Sequence, residues 1–271
     1  MRRALAPAAL LAATVAAGLA PAAVGATGVS RSAESAPARS AWAGSAAVRS
    51  APGRSAASAA PRIKLLVVGR TRVLRGPLTV LARARTVRAG ARTCAVAAGT
   101  PIAALAALRT PTFAVRDYGA CSARDPRASE LLYVRRVAGD AAHGADGWVF
   151  KVGRRALDIG GANPRARVPA GGRVLWFYCR KGAGGCQRTL EIFGPARAAP
   201  GVPVLFTVRG YDDRARGTVA AGARVTFAGA NGTTAADGTV SLPAPARARV
   251  HRASANATGL VPSFPLEVRV G

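Results

Sequence analysis

Lysine is almost missing from this chain. Only Lys64, Lys151 and Lys181 occur among 39 basic residues, so arginine carries nearly all the positive charge. Acids are scarce too: 12 Asp and Glu leave a formal net charge of +27, and Glu34 is the only acid in the first 116 residues. The two histidines, His143 and His251, and the lack of any CxxC knuckle exclude the usual structural zinc sites, which need closely spaced Cys and His ligands. No HExxH or GxSxG pattern occurs, which removes the common metalloprotease and serine-hydrolase signatures. Aromatic residues make up 5% of the chain, and the stretch 63–92 holds eight basic residues with no aromatic among them. Single-strand nucleic-acid binders interleave the two types, so no specific nucleic-acid partner is expected. Beyond the N-terminus no apolar run reaches the roughly 20 residues needed to cross a bilayer, so no later transmembrane segment is expected.

What is present starts with a leader. Met1, Arg2 and Arg3 precede the run ALAPAALLAATVAAGLAPAAV, which ends in the small residues Val24-Gly25-Ala26. This reads as an export signal cleaved after Ala26. The rival reading is a retained anchor, but Pro7, Pro21 and the abundance of alanine lower the apolarity and favour cleavage. The mature protein is therefore expected to be secreted. In that compartment four cysteines (Cys94, Cys121, Cys179 and Cys186) read as two disulfides with three possible connectivities. The pairing Cys94–Cys121 with Cys179–Cys186 is expected. Chain entropy gives ~3.6 and ~2.5 kcal/mol for those loops, but crossed pairings would score slightly higher, so entropy does not choose. Sequence locality decides, together with the glycine-rich turn in WFYCRKGAGGCQ, which lets Cys179 and Cys186 swing together. The same stretch lacks the lysine and hydroxyl that close a phosphate-binding P-loop.

Residues 27–62, rich in Ala, Ser, Arg and Pro, lack apolar periodicity and read as a disordered linker. Strand-like pieces then begin at IKLLVVG. The clearest helix signal is GTPIAALAALR, where Thr100 can cap, Pro101 suits the first position, and Ile102, Leu105 and Leu108 share a face. GWVFKVGRR and RVLWFYCR alternate as strands, and the second carries bulk on both faces, which suits a central position. After Pro195 and Pro200, residues 201–271 contain only strand-like pieces, separated by turn signals such as Asn231-Gly232 and Asp237-Gly238 at sandwich spacing.

The pieces VVGRTRVLRGPLTV, GTPIAALAALR, GWVFKVGRRALDIGGANP and PAGGRVLWFYC make residues 63–193 resemble the bacterial relatives of the transcobalamin C-terminal domain, a domain of unknown function. VPVLFTVRGYDD, AAGARVTFAGANGTTAADGTVSLP and GLVPSFPLEVRV make residues 201–271 resemble Ig-like or carboxypeptidase-regulatory-like sandwiches of exported bacterial proteins. The resemblance implies an α+β, β-grasp-like domain followed by a small all-β Ig-like sandwich. In transcobalamin-type carriers a large helical domain holds the other side of the corrinoid, and no such partner domain is present here. If a ligand surface survives, the resemblance points to the GWVFKVGR hairpin and the loop after it, with Trp148, Phe150 and Asn163 as exposed candidates. The plainer alternative is that Trp148 and Phe150 are core residues of an alternating strand.

His143 lies near Asp140 and Asp146 in sequence, and Asp212, Asp213 and Asp237 punctuate the second unit. Polar loops and turns account for both groups without catalysis or a metal. The expected protein is thus a non-enzymatic, monomeric, exported binding module without cofactor. Its arginine-rich first unit suits an acidic cell-envelope polymer or a protein partner. A small ligand, in one version a corrinoid, is the alternative.

Overall fold

The computed structural model of the chain describes residues 59–271. The expected signal peptide and the expected linker up to residue 58 lie outside the described residues. Everything described belongs to one compact unit.

Along the chain, β1 (Arg62–Val68) and β2 (Val73–Leu81) pair antiparallel, as do β3 (Arg85–Ala89) and β4 (Arg92–Val96). The helix α1 (Pro101–Leu105) comes next. After it, β5 (Phe113–Asp117), β6 (Leu132–Val137) and the short β7 (Asp140–Ala141) form a three-stranded antiparallel sheet. A second hairpin, β8 (Gly147–Val152) with β9 (Arg155–Ala156), extends the first sheet. Finally β10 (Arg173–Cys179) inserts between β1 and β8, parallel to the former and antiparallel to the latter. The sheet order is β2-β1-β10-β8-β9.

The central place of β10 stems from its composition. Val174, Trp176 and Tyr178 face a core shared with Ile63, Leu65, Ile102 and Leu105. Leu175, Phe177 and Cys179 face the opposite way, onto Leu66, Val68 and Val261. Both faces are therefore covered, as bulky alternation on both sides requires.

The expected α+β, β-grasp-like domain does not form. Nineteen strands accompany one five-residue α-helix among the described residues, and the fold is almost entirely β. Thr100 does cap the helix, its Oγ1 accepting from the Ala103 N–H, with Pro101 at the start. At 1.5 Å per residue, however, five residues span only ~7.5 Å, too short to lie along a sheet. The α-helix ends at Leu105 with Ala106 as its cap, and the chain tightens there, the Ala107 and Leu108 N–H groups donating to the Ala104 and Leu105 carbonyls three residues back. All five residues are buried, with the Trp176 indole N–H donating to the Pro101 carbonyl at 3.1 Å. This segment is a plug under the sheet.

The chain crosses into the second body at β11 (Thr189–Phe193). It continues through β12 (Arg197–Ala198), β13 (Pro203–Tyr211), β14 (Gly217–Val219), β15 (Arg224–Phe227), β16 (Ala230–Thr233), β17 (Thr239–Pro243), β18 (Arg249–Asn256) and β19 (Leu266–Val270). One sheet centres on β13, flanked by β11, β14 and β17; the other runs β12-β19-β18-β15-β16. Residues of both sheets, among them Phe206, Phe227, Val225, Ile192 and Val268, meet in one apolar core, which makes a β-sandwich. The Asp237-Gly238 turn forms, with Gly238 at φ +78°. Asn231-Gly232 instead lies inside β16, and the hairpin turns at Ala228 and Gly229, with φ of 51° and 94°. A two-residue turn of this kind needs two left-handed residues, and here alanine accepts one of them.

Candidate functional site

Two disulfides form, Cys94–Cys121 and Cys179–Cys186. Each fixes a loop. In the second, the Gly182 and Gly185 backbones pair across the turn, and the Cys186 N–H donates to Asp213 Oδ2 at 3.0 Å. In the first, Asp117 ends β5 and organises the loop leading to Cys121. Its carboxylate accepts from the Gly119 and Cys121 N–H groups at 3.0 and 2.9 Å and from Arg92 Nη1 at 3.2 Å. Burial pushes the Asp117 carboxyl up, but these donors outweigh it and hold the group below its ordinary value. The loop that carries Tyr118 is thus pinned by a carboxylate at its start and a disulfide at its end.

Around this loop lie two adjoining grooves. One, of about 830 Å³, is lined by Arg92, Arg116, Arg135, Arg136, Asp117 and Tyr118. The other, of about 670 Å³, is lined by Tyr118, Leu131, Tyr133, Arg135, His143 and Trp148. Tyr118 and Arg135 belong to both. A β-bulge explains the arginine pair. Ala114 pairs with Arg136 and Val115 with Val134, so Arg135 is the extra residue, and Arg135 and Arg136 are both exposed. Tyr118 is 56% exposed, packs edge-on against Tyr133 (5.6 Å, 82°) and lies 4.8 Å beneath the Arg116 guanidinium. The groove is thus lined by four arginines and a single carboxylate, whose oxygens are already engaged by Arg92 and two backbone N–H groups.

The exposed surface expected from Trp148, Phe150 and Asn163 is not there. Trp148 and Phe150 are 7% and 4% exposed, and Asn163 is buried. Trp148 donates its indole N–H to the Asp140 carbonyl at 2.7 Å and packs edge-on against Tyr178; Phe150 lies against Trp176. Asn163 caps a 3-10 turn, its Oδ1 accepting from the Arg165 N–H. The alternation of β8 turns its aromatic face into the core. A separate groove of about 430 Å³ lies against this hairpin and the loop after it, bordered by Trp148, Phe150, Trp176, Asp158, Lys181 and Asp213.

His143 and Asp146 pair through their backbones, but the carboxylates near His143 are held by other groups. Asp140 Oδ2 accepts from the Arg70 N–H and Asp146 Oδ1 from the Lys181 N–H, both at 2.8 Å. Asp212 and Asp237 accept from backbone N–H groups within their own turns. Comparison with family models, curated proteins and solved structures found no match.

Sequence reading missed Lys151. It is fully buried, on the face of β8 opposite Phe150. Its ammonium donates to Tyr211 O (2.9 Å), Asp212 O (2.8 Å) and Thr189 Oγ1 (3.2 Å), all in the second body. Burial lowers its pKa to about 8, against the pull of Asp213 and Asp212. Beside it Glu191 of β11 accepts from Arg154 and Arg173, which again joins the two bodies. One signal was available: a lysine in an arginine chain, set within an apolar strand. The arginine groove had a signal too, since the doublet Arg135-Arg136 breaks the alternation of LLYVRRV.

Proposed function

We propose that this chain is an exported, non-catalytic binding module that holds an acidic polymer of the cell envelope outside the membrane. The observation that carries the reading is the groove lined by Arg92, Arg116, Arg135 and Arg136, in which the one carboxylate, Asp117, is already engaged. Guanidinium groups bind carboxylates and phosphates through paired N–H donors, and a cleft lined by one sign of charge concentrates the opposite ion. Export is supported by the leader-like N-terminal sequence and by the two disulfides, which persist in oxidising compartments. No helix among the described residues is long and apolar enough to cross a membrane. The test is retention on purified wall material at physiological salt. The wild-type chain should be retained, and Arg135→Ala with Arg136→Ala should release most of it. Retention no better than that of a neutral sandwich domain contradicts the reading.

A second reading is a small-ligand binder at the 430 Å³ groove beside β8 and β9, favoured by its volume, which lies within the range of ordinary ligand sites, and its aromatic lining. Equilibrium dialysis with cobalamin checks the corrinoid version. Absence of binding at high micromolar concentration removes it.

A further inference from the structure

An arginine groove alone would accept any polyanion, but this one does not stand alone. The adjoining groove carries exposed Tyr118 and Leu131 beside Arg135 and His143. Tyr118 and Leu131, at 56% and 40% exposed, are two of the seven large hydrophobic residues exposed among those described. The Tyr118 N–H donates to the Leu131 carbonyl at 3.2 Å, so the two are neighbours. Singly exposed apolar residues need no explanation, but these two are adjacent and bordered by arginine. Gly144 lines the same groove, and a side chain there would meet nothing within 4 Å, so the groove is open on that side. The Tyr118 ring is braced by Tyr133 and Arg116, and an aromatic group already immobilised contributes contact area at low entropic cost. Arg135 borders both grooves, so an anion bound there sits next to whatever occupies the adjoining one.

A ligand that fills both grooves therefore offers an anionic group and, beside it, an apolar face. We propose that the site binds an acidic glycan, its carboxylates or phosphates held by Arg92, Arg116, Arg135 and Arg136 and a sugar ring seated against Tyr118 and Leu131. This rests on the acidic-polymer reading above and narrows it to polymers with rings. A single-stranded nucleic acid offers rings and charge as well, but its binders present successive open aromatic faces. Here Tyr118 alone is exposed: Tyr133 is half-buried, and Trp148 is buried with its N–H already donated.

The experiment measures binding of the full chain, by calorimetry at fixed salt, to four probes: an oligogalacturonate, an oligoglutamate of equal charge, a neutral malto-oligosaccharide and a single-stranded oligonucleotide. The galacturonate should bind about tenfold more tightly than the glutamate, and the neutral sugar should not bind. Tyr118→Ala should lower galacturonate affinity about tenfold and leave glutamate affinity unchanged, whereas Arg136→Ala should weaken both. Equal affinity for the two polyanions, or an equal loss for both in Tyr118→Ala, overturns ring recognition while the acidic-polymer reading survives. An oligonucleotide that binds more tightly than the galacturonate and depends on Tyr118 overturns the glycan in favour of nucleic acid. Binding to neither polyanion overturns both readings.

Discussion

The Lys151 ammonium donates to the Tyr211 carbonyl at 2.9 Å, across the junction between the first sheet and the sandwich. With Asp212 O and Thr189 Oγ1 it has three acceptors for three protons, and Phe177 lies 5.8 Å from it. A buried cation costs desolvation, and here its hydrogen bonds to Thr189, Tyr211 and Asp212 offset that cost only while the two bodies keep this placement.

The pH response stems from that burial. The folded pKa of Lys151 is about 8, below the ordinary lysine value of 10.5. Between those values the unfolded chain binds more protons than the folded one, so unfolding free energy rises with pH. Across that window the gain is at most about 3 kcal/mol. Urea unfolding at pH 7, 8, 9 and 10 should show this rise in the wild-type chain and a flatter profile in Lys151→Met. Parallel profiles would count against a buried ammonium.

Glu191 acts in the opposite pH range. Burial raises its carboxyl pKa, but hydrogen bonds from Arg154 and Arg173 outweigh this and hold it below its ordinary value. Its contribution is present above the unfolded pKa and is lost as pH falls through the folded one. Glu191→Gln should lower stability at pH 7 by about 1 kcal/mol, since both arginines are partly exposed. The variant should also lose stability less steeply on acidification; thermal melts at pH 7 and pH 4 give the comparison.

Removing the first disulfide tests how the groove is held. Cys94→Ser with Cys121→Ser should cost about 3.6 kcal/mol from loop entropy alone. If the bond pins the Tyr118 loop, retention on wall material should fall under conditions where circular dichroism shows the chain still folded. Cys179→Ser with Cys186→Ser, which borders the β8–β9 groove but neither groove beside Tyr118, should lower stability and leave retention intact.

Gly160 leaves no room for a side chain. A Cβ there would lie 2.1 Å from the Glu130 carbonyl oxygen, which is backbone and cannot swing aside. Gly160→Ala should destabilise the chain by roughly 1–3 kcal/mol through overpacking, measurable by urea titration. Gly184→Ala, in open space, is the control.

Strands are legible where alternation is strong. RVLWFYCR announces a strand covered on both faces, and β10 lies between β1 and β8. The helix is shorter than its signals suggest. Thr100-Pro101 and a few apolar residues mark a start, while the end comes at Ala106–Leu108, where the backbone tightens to i−3 hydrogen bonds with no glycine or proline to announce it. Analogy puts Trp148 and Phe150 on the surface, although their own alternation points inward. The candidate site is the least legible part. Its arginines come from β4, β5 and β6, its tyrosines from β6 and a disulfide-closed loop, and a bulge at Arg135 joins them. No local pattern records that gathering. Lys151 illustrates the same limit, since its partners Thr189, Tyr211 and Asp212 lie at least 38 residues away.

Hydrogen exchange with and without an acidic wall polymer tests the account most directly, because it reports where the ligand sits without assuming its identity. Protection should concentrate in residues 89–92, 114–119 and 131–136, and Arg135→Ala with Arg136→Ala should abolish it. Protection spread evenly over the arginine-rich surface, or confined to the β8–β9 groove, would contradict the assignment.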